Sequence, residues 1–222
     1  MASSDMTFHS GHRERLRQKF LDDKITDYEF LELLLSFVIP RRDVRPLARG
    51  LINKYSGLHQ ICSLPMATLM EFPGLGRNTA IFLKAIRHAM LAEYREHLDK
   101  RPIFHTNTTL INYCLTLLGG KTIEEFHVLY LDDEKRLLRD DTHSVGTINW
   151  AAVYPREIVR RALDINARSI VMLHNHPTAG VPFSTPDIEI TTITRDMLAP
   201  LEIELYDHFL VTGGKKKKKK NC

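Results

Sequence analysis

Residues Ser169 to Asp187 constrain this chain more than any other stretch. Ser169-Ile170-Val171-Met172-Leu173 is a short apolar run rich in β-branched residues, which suits a buried strand. It ends on His174-Asn175-His176-Pro177. In extended chain, residues i and i+2 project to the same side, so both imidazoles face one point. Pro177 stops the ladder, and Thr178 to Pro182, with Gly180 inside it, reads as a loop. Ser184-Thr185-Pro186-Asp187 then reads as a helix start, with Ser184 or Thr185 as cap and Pro186 in the first turn. Asp187 is thereby presented from a helix N-terminus back towards the histidine strand.

Two imidazoles and a carboxylate are the donor set of a catalytic zinc site, which holds three protein ligands and leaves a fourth position for water. Water held so has its pKa lowered to roughly 7. Ser184 lies between the ligands in sequence, where its hydroxyl can donate to a developing oxyanion. The bland alternative is a strand, loop and helix with surface histidines and a capping aspartate. The whole spacing, His-x-His-x7-Ser-x2-Asp, favours the metal site with His174, His176 and Asp187 as ligands.

These residues resemble the JAMM motif of the JAB/MPN metalloprotease superfamily. Gly146-Thr147-Ile148-Asn149, Tyr154-Pro155-Arg156-Glu157, His174-Asn175-His176-Pro177 and Asp207-His208-Phe209-Leu210-Val211 are similar to the RadC family within it. The likeness runs through the first hundred residues as well. It implies Zn2+ on His174, His176 and Asp187, Ser184 beside the tetrahedral intermediate, and an association with DNA repair. It also implies an upstream glutamate that takes a proton from the zinc water and passes it to the leaving amine. The positions matching that glutamate read Arg139-Asp140-Asp141-Thr142-His143, so Asp141 is the expected catalytic base. Aspartate is one methylene shorter, and a base must come within about 2.6–3.2 Å of its proton. Asp140 would point to the opposite face of its strand, and Glu157 falls early in a helix, where it suits the dipole.

Composition fits a two-part globular protein. The chain has 222 residues, 43% of them hydrophobic, and no run of 18 apolar residues or signal-peptide core, so a cytoplasmic location without membrane contact is expected. Cys62, Cys114 and Cys222 are scattered, which argues against a disulfide framework. Residues 1–101 hold 16 Lys and Arg against 12 Asp and Glu, residues 102–214 hold 9 against 15, and Lys215–Lys220 adds six positive charges. The net charge of +4 therefore rests on the tail, 215–222, which is expected to be disordered.

The expected fold class is α+β: an all-α helix-hairpin-helix domain over residues 1–101, then a JAB/MPN domain over 102–214 with a mixed sheet flanked by helices. Ser10 is read as the cap of a helix from His12 to Asp22, and Asp27 as the cap of Tyr28 to Phe37. Leu69 to Ala80 resembles a helix-hairpin-helix whose Gly74 and Gly76 let phosphate approach the backbone. The next helix start suits an anion, and Arg77 and Lys84 add charge, so nonspecific DNA is a candidate partner. The alternative is a turn used only for packing or protein contact.

In the second domain His127 reads as packing, Trp150 as wall or core, and His143 and the Asp207-His208 pair as strand residues near the site. A hydrogen-bond partner for a ligating imidazole could come from that group. Two functions follow. The leading one is a zinc-dependent hydrolase, a metallopeptidase cutting a peptide or isopeptide-like amide. The alternative is a non-catalytic DNA-associated protein in which the metal only braces a loop.

Overall fold

A computed structural model describes residues 4–55, 57–103, 108–146, 153–178, 180–212 and 215–218, of which 4–10 and 215–218 are described by their backbone alone. Thr147, Ile148, Asn149, Trp150 and Cys222, named above, lie outside the described residues. The chain divides into two compact units, Met1–Arg87 and His88–Cys222.

The first unit is helical: α1 (Ser4–Leu21), α2 (Asp27–Val38), α3 (Arg45–Tyr55), α4 (Leu58–Ser63), α5 (Met66–Glu71) and the start of α6 (Arg77–Lys100). Helix α1 runs straight through Ser10, so that residue does not begin it. Helix α2 is capped by Thr26 rather than Asp27. Thr26 Oγ1 accepts from the Glu29 N–H at 3.3 Å, and Glu29 Oε2 accepts from the Thr26 N–H at 3.1 Å. The Thr-x-x-Glu spacing is the signal for such a reciprocal cap, and it places Asp27 one residue inside the helix. Leu31, Leu35, Leu51, Ile61, Leu69 and Leu83 are fully buried in this unit's core. Each contributes about 1.5–3 kcal/mol on burial.

The second unit follows with α7 (Thr108–Leu118), β1 (Glu125–Leu131), β2 (Leu137–Val145), α8 (Pro155–Asp164), β3 (Ser169–His176), α9 (Thr185–Leu198), β4 (Glu204–Thr212) and β5 (Lys215–Lys218). Sheet order is β2-β1-β3-β4-β5; β3 and β4 are parallel and the other pairs antiparallel. This is the mixed sheet flanked by helices that the α+β reading requires. Strand alternation divides its side chains between two cores. Leu129, Leu131, Val171, Leu173, Phe209 and Val211 pack with α7. Val128, Tyr130, Ile170 and Met172 pack with Ile158 of α8 and Ile190 of α9.

One expectation about the tail is corrected. Lys215–Lys218 forms a strand paired with Thr212 to Phe209, not an irregular tail. The reason is that ladder hydrogen bonds belong to the backbone, and β4 offers an open edge to any chain that passes it. Among the described residues no helix is long and apolar enough to cross a membrane.

Candidate metal centre

The site grows from the end of β3. His174 and His176 share the face of Ile170 and Met172, and that face looks towards α9. Phe126 stacks on the His174 ring at 5.7 Å between centroids, and Phe183 meets the same ring edge-on at 5.6 Å. These aromatic walls leave the imidazole little freedom.

Helix α9 supplies the carboxylate. Ser184 is its N-cap and Asp187 its third residue, joined in a reciprocal capping box. The Ser184 N–H and Oγ–H both donate to Asp187 Oδ2 at 2.7 Å, and Ser184 Oγ accepts from the Asp187 N–H at 3.3 Å. Local sequence thus aims Asp187 before any ligand is considered, and the positive end of the helix favours its charge. Asp187 Oδ1 lies 3.2 Å from His174 Nε2, and Oδ2 lies 3.4 Å from His176 Nε2. Burial by itself would raise the Asp187 carboxyl, but the neighbouring His176 imidazole and the Ser184 hydrogen bonds hold it well below the usual carboxylate range. The same carboxylate raises His176 above its ordinary value against the effect of burial.

A fourth residue joins them. Glu124, His174, His176 and Asp187 bring one donor atom each within 4.8 Å of one another. Glu124 immediately precedes β1, and its carbonyl accepts from the Gly146 N–H at 2.7 Å. The donor set suits a divalent cation by an observation in the protein itself. His174 is completely buried, and its Nε2 makes no hydrogen bond although it faces Asp187. A buried nitrogen left unpaired among converging acceptors costs free energy that a cation would recover.

The other nitrogen of His174 is engaged. Its Nδ1 lies 2.9 Å from His208 Nε2, and His208 Nδ1 lies 2.7 Å from Thr191 Oγ1. The Thr191 hydroxyl donates in turn to the Asp187 carbonyl. A cleft of about 390 Å3 opens over the cluster, floored by Glu124, His176, Ser184 and Asp187 and walled by Val181 and Ile190.

A family model described as a RadC-like JAB domain matches residues 104–217, just over half of the 222-residue chain. The chain belongs to the RadC-like JAB domain family.

Within this JAB domain the structure brings His174, His176, Asp187 and Ser184 together as the sequence reading expected, but it does not bring Asp141. Asp141 pairs laterally with Val128, which pairs with Met172 on its other side. That register sets it two strands and two residues away from His174, roughly 12 Å between Cα atoms at ~4.8 Å per strand and ~3.3 Å per residue. Its carboxylate instead accepts from Arg161 Nε at 2.6 Å. Asp141, the residue expected as base, therefore stands away from the histidines. The carboxylate in reach is Glu124, which sequence reasoning missed. The signal available was the Glu124-Glu125 pair, since alternation sends one carboxylate to each face of the sheet.

Other expectations resolve as follows. Asp140 does point to the opposite face, where it bonds His127 at 3.0 Å. His127 is thus ion-paired in a polar network rather than packed among apolar groups. His143 hydrogen-bonds Tyr130 at 2.8 Å and is held below its ordinary pKa by burial. Ser184 commits its single hydroxyl proton to Asp187.

In the helical unit Gly74 adopts φ +87°, and an added Cβ would stand 3.1 Å from Arg42 Nη2. Gly76 has open space around it. Arg77, the first residue of α6, is exposed. The Lys84 ammonium, expected to face DNA, donates to the carbonyls of Cys62, Ser63 and Leu64 at 3.1, 3.4 and 2.8 Å. It closes the C-terminal end of α4, where helix carbonyls lack intrahelical donors.

Proposed function

We propose that this chain is a zinc-dependent hydrolase cleaving a peptide or isopeptide-like amide, with His174, His176 and Asp187 as ligands and Glu124 as the proton carrier. The observation that carries the reading is the convergence of four donors, one of them an unpaired buried imidazole nitrogen, beneath an open cleft. A divalent cation bound there supplies Lewis acidity and makes water a nucleophile near neutral pH. The Glu124 carboxylate accepts the proton that water loses on attacking the scissile carbonyl. It then hands that proton to the amine as the C–N bond breaks. Asp187 and the imidazoles stay fixed through their caps and ring contacts. Ser184 supports the carbonyl oxygen by turning its hydroxyl away from Asp187 into the cleft it lines. Val181 and Ile190 shield the reacting centre from bulk water. Cys62 and Cys114 are buried free thiols, in keeping with a reducing cytoplasm.

An unbiased peptide-library digest with zinc restored, with chelator, and with His176→Ala tests this. Cleavage should occur in the first case only. Absence of products from zinc-loaded protein would overturn the reading.

A second reading, nonspecific DNA contact by the helical unit, is supported by the Gly74–Gly76 turn and the exposed Arg77. Arg77→Glu should then weaken duplex binding at low salt. Unchanged affinity would remove this reading and leave the hydrolase untouched.

A further inference from the structure

We propose that Asn175 is a positioning residue that fixes the backbone of Glu124. The proposal rests on the proton-carrier reading of Glu124 given above, and it adds the element that holds that carboxylate in place.

Asn175 stands between the two histidines, so alternation along β3 turns its side chain to the opposite face of the sheet. It is nearly fully buried there, 2% exposed. Its amide meets two backbone groups. Nδ2 donates to the Ile123 carbonyl at 3.0 Å, and Oδ1 accepts from the Glu125 N–H at 2.9 Å. These groups lie on either side of Glu124. The Ile123 carbonyl belongs to the peptide unit that enters Glu124, and the Glu125 N–H belongs to the unit that leaves it. Asn175 therefore grips both planes hinged at the Glu124 Cα, and with them both soft backbone dihedrals of that residue. A third bond, from the Gly146 N–H to the Glu124 carbonyl at 2.7 Å, holds the leaving plane from the other side.

A side-chain amide suits this position because it carries a donor and an acceptor at fixed separation. The two backbone partners also settle which end of the amide is which, since a carbonyl needs a donor and an N–H an acceptor. Leucine has the same shape and neither function. Glutamine keeps both but displaces them by one methylene. The consequence for Glu124 is direct: with both flanking planes held, only its side-chain torsions remain free, and its carboxylate stays beside the imidazoles. A displacement of about 1 Å of a catalytic group can cost 10²-fold in rate.

The test uses the full chain, without metal, in an amide hydrogen-exchange measurement on wild type and Asn175→Leu. The Glu125 amide loses its acceptor, and the Gly146 amide loses the anchoring of its own. Both should exchange at least about tenfold faster, while Val171 in mid-strand keeps its wild-type rate. Wild-type protection at Gly146 would overturn the proposal, and so would faster exchange throughout the strand. If Asn175→Leu does not fold, Asn175→Gln carries the same test, with a smaller but measurable acceleration at Gly146; no acceleration overturns it. On the zinc-loaded protein, Asn175→Leu should lower kcat about 10²-fold at unchanged KM and metal content. It should cost nothing further when added to Glu124→Gln, whereas multiplied losses would overturn the link to Glu124. If wild type hydrolyses nothing, the proposed function fails, and the exchange measurement still decides the clamp.

Discussion

His174 Nδ1 and His208 Nε2 lie 2.9 Å apart, and this contact dictates where both rings carry their protons. The Thr191 hydroxyl donates to the Asp187 carbonyl, so Thr191 Oγ1 acts as acceptor towards His208 Nδ1 at 2.7 Å. A neutral His208 with its proton on Nδ1 leaves Nε2 to accept from His174 Nδ1. His174 must then present a bare Nε2 lone pair to Asp187 and its neighbours, which is the form a cation requires. The relay also joins two members of the cluster, because it begins at His174 and ends on the main chain of Asp187.

His208→Phe keeps an aromatic ring against Phe183 and deletes the acceptor. Zinc affinity measured by competition with a chromophoric chelator should fall about 10–100-fold. Equal affinity in mutant and wild type would show that the tautomer needs no such partner.

Glu124 and Asp141 are separable by isosteric amides. Glu124→Gln should abolish most amide hydrolysis, about 10²–10⁴-fold, with zinc content unchanged. Asp141→Asn should leave hydrolysis within about threefold, because it removes only partly exposed ion pairs with Arg161 and Arg139, which contribute little at a solvent-facing site. The reverse ranking would restore Asp141 as the base.

The far face of the sheet has its own pH dependence. His127 sits between Asp140 Oδ1, 3.0 Å from Nδ1, and Glu125 Oε2, 3.2 Å from Nε2. Two acceptors call for two N–H donors, the protonated ring. Burial alone would lower the His127 pKa; the two carboxylates reverse this and hold it above 6.5. Asp140, which burial would raise, is kept below 3.8 by His127, Tyr113 and Arg95. The sign follows for each. The His127 contribution is complete below 6.5 and is lost as pH rises through the raised value. The Asp140 contribution is complete above 3.8 and is lost as pH falls through the lowered value. Denaturation midpoints should decline as pH climbs above 6.5, and His127→Gln should flatten that decline. An unchanged slope in the variant would place the titrating group elsewhere.

Lys84→Met retains the aliphatic stem and removes the ammonium from the α4 carbonyls. Calorimetry should record a loss of about 1–3 kcal/mol for charged hydrogen bonds at a partly buried site. Duplex DNA affinity should not change. A stability-neutral variant that binds DNA less well would return Lys84 to the surface role expected from its charge.

Much of this protein is written locally. A continuous apolar run and helix punctuation place β3 and α9 within a residue or two of where they form, because strands and caps are decided by near neighbours. His174, His176, Ser184 and Asp187 belong to that class: one strand end, one turn and one capped helix start assemble them. Glu124, Asn175 and His208 in their working roles do not. His208 reaches His174 across 34 residues, and Asn175 reaches the Glu125 N–H across 50. Those encounters depend on strand order and register, which arise when two cores on opposite faces of one sheet are filled together. Asp141 shows the cost of reading without them. It is nearer to the histidines along the chain than Glu124 is, and the intervening β1 strand and a two-residue offset in register keep it from the site. His174, His176 and Asp187 follow from spacing along the chain, and the approach of Glu124 follows from sheet pairing, because backbone hydrogen bonds between distant strands set which side chains can share a cleft.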